Sequence, residues 1–388
     1  MPYHLHDVQL RVLRKYARQE RNASALNLTR FLLLEHILPT TEEFVRHLVA
    51  AGGEVFALLA KPYSIDGAVL NRLIESGVCI HRKSYEELDD TSYLDQLIQS
   101  AMSQSDVDGK KIVIIDVGGY FAAPLARLPV DSLRHISGVV EDTTFGHNRY
   151  IKCIQNIGVP VFSVARSSLK EIEARFVGRD AVAAVDTILR RHGVTIAGRN
   201  ALVIGYGMIG KNVARSLRAN DLNVYVYDRH DNRNLSAYID GFRIYAKRDL
   251  LKSADIIFSA TADTALSFAD IEECKDNVIL VSVGSRDTEF DIRTIREQAL
   301  EASEVSPNLK KYILPNSRAV LVVNDGVAVN FLVPSRPIEI MDLVFSELFL
   351  AAMLLVKKPG EHLPGVVHEM SPFSLDVIAK DWLRFVNS

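Results

Sequence analysis

The stretch "ALVIGYGMIGKNVARSL" (201–217) decides the fold. An apolar run leads into Gly205, Gly207 and Gly210, and a helical pattern leads out. Strand, glycine turn and helix in that order form the dinucleotide fingerprint of a βαβ unit. Gly205 permits the tight turn, Gly207 lets the backbone approach a pyrophosphate, and Gly210 lets helix and strand pack closely. The helix start at Met208 and Ile209 then turns free N–H groups toward the phosphates. The next apolar run, "NVYVYD", ends in Asp228. A carboxylate there accepts from both ribose hydroxyls and repels a 2′-phosphate, so NAD is favoured over NADP. Arg229, His230 and Arg233 follow at once and keep NADP as the alternative.

Working outward, "NALVIG", "NVYVYD", "ADIIFSA", "NVILVSVG" and "RAVLVVND" repeat strand–helix order through 200–325. The first 165 residues alternate in the same way. "EVFALLA" (54–60), "KIVIIDVGG" (111–119), "ISGVVED" (136–142) and "VPVFSVA" (159–165) read as strands. "TEEFVRHLVAAGG" (41–53) and "DGAVLNRLIESG" (66–77) read as helices closed by glycine. The expected fold class is α/β, with two doubly wound parallel-sheet domains, the second a Rossmann NAD-binding domain. A long helix over 178–199, ending near Gly193, marks the boundary. The substrate domain is expected at 1–177, with 335–388 returning to it, and the cofactor domain at 178–334. The helix expected at 335–357 is too apolar to face solvent and suggests a homo-oligomer, a dimer or tetramer. A terminal amphipathic helix is expected at 371–386.

Composition removes several classes. The 388 residues suffice for two or three domains, and the net charge of −3 gives a nucleic-acid or acidic-membrane partner no support. Cys79, Cys153 and Cys274 form no CxxC, which fits a reducing compartment and argues against a disulfide framework or cysteine-rich zinc site. No compact ligand cluster such as HExxH suggests a metal. The N-terminal residues carry charges throughout and no signal-peptide core. The apolar run "EIMDLVFSELFLAAMLLVKK" contains Asp342 and Glu347, so it reads as a buried or interface helix, not a membrane span. The expected setting is cytoplasmic, with a small-molecule substrate.

With "AGRNALVIGYGMIGKNVARSLRA", the earlier "GVVEDTTFGHNRY" and the later "VVNDG" in this order and spacing, the chain resembles the S-adenosylhomocysteine hydrolase (adenosylhomocysteinase) family. The resemblance covers about residues 30–335. It implies NAD held between a substrate domain and a cofactor domain, in tetramers. It also implies oxidation of a ribose 3′-hydroxyl, elimination of a thiol at the activated neighbour, addition of water, and return of the hydride. By the same resemblance, Thr143 and Thr144 touch the nicotinamide end of NAD, Thr261 is a cofactor contact, and Asn324 holds the carboxamide. Lys170 stands beside the reacting hydroxyl as its base, Asp142 takes the place of a ribose-binding glutamate, His36 lies near the leaving group, and Asp116 matches the first of two aspartates.

The chain departs from the family pattern at several of these places. Val117 stands at the second aspartate, Ala174 and Arg175 at an acid and an amide, Ser285 and Phe331 at two histidines. The lysine-tyrosine arm at the family's C-terminus has no counterpart in "LRFVNS". The cofactor cradle is kept while acids and bases of the later steps are missing.

Each singled-out residue also has a plainer reading. Lys170 could be a solvated helix residue, His36 and His147 hydrogen-bonded structural histidines, and Asp116, Glu141 and Asp142 helix caps. The pattern favours an enzyme that oxidises, permanently or transiently, a secondary hydroxyl of a nucleoside-like or other small hydroxylated metabolite. Its alternatives are hydrolysis of S-adenosylhomocysteine and a non-catalytic NAD-binding regulatory homologue.

Overall fold

Short apolar runs bounded by glycine or polar turns supply the strands, which a computed structural model places in two sheets; residues 9–284, 288–333 and 337–387 are described. The first strands are β1 (Thr29–Ile37), β2 (Glu54–Ile65), β3 (Ile80–Arg82), β4 (Lys111–Asp116), β5 (Ile136–Glu141) and β6 (Val161–Ser163). There follow β7 (Asn200–Ile204), β8 (Asn223–Tyr227), β9 (Arg243–Ile244), β10 (Ile256–Ser259) and β11 (Val278–Ser282). The last are β12 (Glu301–Ser306), β13 (Leu309–Ile313), β14 (Ala319–Val323) and β15 (Val367–His368). The chain forms two compact units. One runs up to Lys170 and resumes at Pro337; the other begins at Glu171.

In the first unit the sheet runs β15-β6-β5-β4-β1-β2-β3, and every described pairing is parallel. Its central strand, β1, is buried over eight of nine residues. Strands covered on both faces read as continuous apolar runs, not alternating ones. The order reverses between β1 and β4, and in such sheets ligands bind outside the carboxyl ends at that switch point. Those ends carry Glu35, His36 and Asp116, with Glu141 at the end of neighbouring β5.

The helix Ile338–Lys357 packs on the helix Arg11–Ala23 and against β4 and β5. Leu343, Val344, Phe345, Leu348 and Phe349 are all buried there. Its apolar surface is therefore met within its own unit and needs no partner subunit to cover it. Asp342 inside it accepts from Val12 N at 2.8 Å and Leu13 N at 3.0 Å, tying down the start of the N-terminal helix. The terminal helix is Pro372–Val386, capped by Ser371.

In the second unit the sheet runs β12-β13-β14-β11-β10-β7-β8-β9. From β9 to β14 the strands pair in parallel in the order 3-2-1-4-5-6 typical of dinucleotide-binding sheets. The hairpin of β12 and β13 adds an antiparallel edge. The helix expected from residue 178 begins ten residues earlier and spans Ser168–Arg190, so the division between units falls inside its first turn. Among the described residues no helix is long and apolar enough to cross a membrane.

Candidate functional site

In the first unit, the carboxyl ends of β1 and β5 and the start of the helix Ser168–Arg190 bring charged groups together. The Lys170 ammonium donates to both carboxylate oxygens of Asp142, at 2.8 and 2.9 Å. Lys170 N in turn donates to Ser167 Oγ at 3.1 Å, which fixes the helix start. Ser167 Oγ donates to Glu347 Oε2 at 2.7 Å. Glu347 is fully buried, and its other oxygen has no hydrogen-bond partner among the described residues. Burial pushes its carboxyl up to about 8; the Lys170 charge opposes the rise and the Asp142 charge adds to it. Glu35 is likewise buried and pushed up to about 8, by burial first and then by Asp142, with Lys170 and Lys61 opposing. Both glutamates therefore hold a proton at neutral pH beside a charged pair.

His36 follows Glu35 at the end of β1. Its Nδ1 meets Ser64 Oγ, and its ring stands edge-on to Tyr63, centroids 5.6 Å apart. Its backbone N–H donates to Glu35 Oε2 at 3.2 Å.

Asp116 faces the other way chemically. Its Oδ2 accepts from Phe121 N at 3.0 Å and from the Tyr150 hydroxyl at 2.8 Å. It is fully buried, which raises its pKa, and its Oδ1 has no hydrogen-bond partner among the described residues. Glu141 accepts from Gly118 N, Gly119 N, Thr143 N and Thr143 Oγ1 at 2.7–3.1 Å. Burial, then the Asp116 charge, raise its pKa well above the usual range. A Cβ on Gly146 would fall 2.1 Å from that carboxyl, so only glycine leaves it room. Thr143 accepts from Gly146 N at 2.9 Å and caps the helix that Thr144, exposed, begins. Thr143 is thus bound into the fold at every polar atom it offers. His147 is buried and pairs with Ser163 Oγ at 2.9 Å, a structural histidine.

In the second unit, Gly205 adopts φ +91° after β7, and a Cβ there would meet Ala260 O at 2.7 Å. A Cβ on Gly210 would come within 1.8 Å of Gly205 O. Gly207 is different: its missing Cβ meets only Arg233 Nη1, at 3.9 Å. The helix Met208–Ala219 starts at Gly207 without any side-chain cap. An open cradle over an uncapped helix start is what a pyrophosphate requires. Asp228, just beyond β8, accepts from Tyr206 N at 2.7 Å and His230 N at 2.9 Å, and lies 3.4 Å from Arg233 Nη1. It is braced against the glycine turn through Tyr206 N. Arg229 turns aside to Asp263 at 3.1 Å. These residues fit a dinucleotide.

Thr261, just beyond β10, is bound to Glu289 through its backbone N–H, at 3.0 Å, and its hydroxyl, at 2.6 Å. Glu289 is buried, which raises its pKa, and it fills the space where Gly284 lacks a side chain, 2.2 Å from the position of a Cβ. Asn324 follows β14 with φ +51°, and its amide donates to Ala328 O at 3.1 Å. Ser285 lies outside the described residues. Among the described residues no group of three or more His, Cys, Asp or Glu could hold a metal.

Sequence reasoning does not single out Glu35, Glu347 or Glu289 as site residues. A signal exists for two of them: Glu35 interrupts "FLLLEHI", and Glu347 sits in the most apolar late run. An acid inside an apolar element is costly to bury, so it needs a reason to be there.

Residues 176–335 match the family described as S-adenosyl-L-homocysteine hydrolase, NAD binding domain. The chain is 29% identical over 376 residues to the adenosylhomocysteinase of Saccharolobus solfataricus, covering 96% of this chain and 87% of that one. It is 28% identical over 337 residues to the S-inosyl-L-homocysteine hydrolase of Methanopyrus kandleri, covering 85% and 77%. Among solved structures, a dipicolinate synthase subunit from Bacillus halodurans superposes with a TM-score of 0.49 at 12% identity, covering 86% of this chain and 99% of that one. The cofactor of the second unit is NAD.

Proposed function

Because the chain is a divergent relative of the adenosylhomocysteinases over nearly its whole length, we propose that it is an NAD-dependent enzyme oxidising a secondary hydroxyl of a nucleoside-like metabolite. The second unit is the cofactor domain, a Rossmann domain, and the first the substrate domain. When bound, the nicotinamide supplies a hydride acceptor. Oxidation also needs a place for the hydroxyl proton. The observation that carries the reading is the Lys170–Asp142 pair at the carboxyl edge of the first sheet. Asp142 is the resting acceptor, and Lys170 hands it a proton as it takes one from the hydroxyl. Ser167 holds the helix start that positions Lys170. His36 stands at the same strand end, with Nδ1 engaged by Ser64. The kinship supports a homo-oligomer, and the three free cysteines support a reducing, cytoplasmic setting.

A second reading, hydrolysis of an S-nucleosylhomocysteine such as the relatives' names specify, draws support from Glu35 and Glu347. Two protonated carboxyls beside Lys170 could offset the acids lost at Val117 and Ala174, which are both buried apolar positions. The test is to mix purified protein, NAD and adenosine or inosine, and follow the reduced-nicotinamide band. Growth of the band that Lys170→Ala abolishes, without release of homocysteine from S-adenosylhomocysteine, supports oxidation. Robust homocysteine release supports hydrolysis. No band and no release from any of these compounds, in wild type and variant alike, leaves the non-catalytic homologue as the reading.

A further inference from the structure

A nucleophile, a base and an orienting group meet elsewhere in the first unit. Cys79 is exposed on the segment leading into β3, where its carbonyl accepts from Leu58 N at 2.9 Å. Two residues on, His81 projects to the same side, as strand geometry dictates. Cys79 Sγ lies 3.3 Å from His81 Nε2. His81 Nδ1 lies 2.6 Å from the hydroxyl of Tyr93, at the start of the helix Ser92–Asp108. The Lys83 ammonium sits 4.2 Å over the Tyr93 ring.

The charge states suit proton transfer. Burial, then the Lys83 charge, hold the His81 pKa below its usual value, so the imidazole is neutral and open to a proton. Burial raises the Tyr93 pKa, so the phenol keeps its proton and its oxygen stays available as an acceptor. With Nδ1–H donating to that oxygen, Nε2 presents its lone pair to the thiol. A nucleophile within reach of a base that a third group orients is the signature of an activated nucleophile. Among the described residues, the other two thiols have no such partner in reach. Cys153 donates to the carbonyls of Arg149 and Ala122, and burial raises its pKa. Cys274 donates to Asp270 O and is pushed up to about 12 by burial.

We propose that Cys79 is a base-activated thiol and a site of covalent modification by low-molecular-weight disulfides, with His81 as its base and Tyr93 as the residue that positions His81. His81 Nε2 takes the thiol proton. The thiolate attacks one sulfur of the disulfide, a new S–S bond forms at Cys79, and the old one breaks. The electron pair leaves with the departing thiolate, which recovers the proton from His81. Cys79 is oxidised and the departing half is reduced to a thiol. Attack through the thiolate, with the rate set by its population, is the general course of such exchange. The proposal is independent of the NAD-linked activity.

The test uses the full chain with oxidised glutathione, and iodoacetamide as a non-redox probe, read by intact mass and peptide mapping. At neutral pH, Cys79 should take up one glutathione and react before Cys153 and Cys274. Its rate should fall at least about tenfold in His81→Gln, with Tyr93→Phe in between. The pH profile of the wild type checks the same point without a variant. A base-assisted thiol should change rate only shallowly across the neutral range, whereas an unassisted one rises roughly tenfold per pH unit below its pKa. Equal rates in wild type and a folded His81→Gln, or the steep profile in wild type, would overturn the proposal.

Discussion

Lys170 meets Asp142 through two hydrogen bonds of nearly equal length, and each side chain is only 13% exposed. A pair this far from water is expensive to break from one side only, because the survivor keeps its charge without a partner. Lys170→Ala should therefore lower stability, by up to about 3 kcal/mol. Lys170→Ala with Asp142→Ala together should recover part of that loss while the oxidation half-reaction stays absent. Urea unfolding of the two single variants and the double variant separates the effects; strictly additive losses would contradict a coupled pair.

Glu35 and Glu347 make stability depend on pH in a direction opposite to most surface acids. Each carboxyl titrates near 4.5 when unfolded and near 8 when folded. Below that window both states are protonated; within it the unfolded chain loses the proton and the folded one keeps it. Stability should fall as pH rises from about 4.5 to about 8, then level off. Glu347→Gln retains an acceptor for Ser167 and removes one of the two titrations. Its stability relative to wild type should improve between pH about 5 and about 8 in denaturant titrations. A difference that stays constant across that range would show that Glu347 ionises freely in the folded state.

Gly207 and Gly210 should answer the same substitution differently. Gly210→Ala drives a methyl into the Gly205 carbonyl, a backbone atom that cannot step aside, so folding and cofactor binding should both suffer. Gly207→Ala meets only the tip of Arg233, at an ordinary backbone φ of −79°, so the cofactor-free protein should melt near the wild-type temperature. Its methyl nevertheless stands where the pyrophosphate approaches, and NAD affinity should fall at least about tenfold. Parallel melting curves and NAD titrations check both halves.

Asp228 should set the choice between cofactors. NAD should bind more tightly than NADP, and Asp228→Ala should weaken NAD by about 1–3 kcal/mol. Part of that loss is local, since Tyr206 N and His230 N lose their acceptor too. Equal NAD and NADP affinity in the wild type would move the discrimination to Arg233, whose guanidinium already borders both Gly207 and Asp228.

The glycine turn, Asp228 and the strand–helix alternation are legible because each is dictated locally, by a turn, a charge or a period. β1 is not. "TRFLLLEHI" is buried on both faces, so it lacks alternation, and its leucines favour helix as readily as strand. The hairpin of β12 and β13 is hidden for the opposite reason: Glu301–Ser306 is a nearly wholly exposed polar strand whose identity comes from its neighbour. Within the site, Lys170 and Asp142 stand out in the sequence, but nothing in their spacing shows that they pair. Glu35 and Glu347 come from segments over 300 residues apart in the chain and acquire meaning only beside that pair. Thr143 and Thr261 read as cofactor contacts; their tight bonds to Glu141 and Glu289 depend on backbone turns that sequence does not reveal.

The two glycines that make room for buried glutamates, Gly146 for Glu141 and Gly284 for Glu289, bind the history of this chain as well as its shape. Neither glycine can acquire a side chain while its glutamate stands, and a shorter residue at either glutamate leaves a void and a set of unanswered N–H groups. Change at these positions must therefore pass through a poor intermediate or occur in concert. Variants sampled at random should treat each glycine and its acid as one inherited character, lost together or retained together.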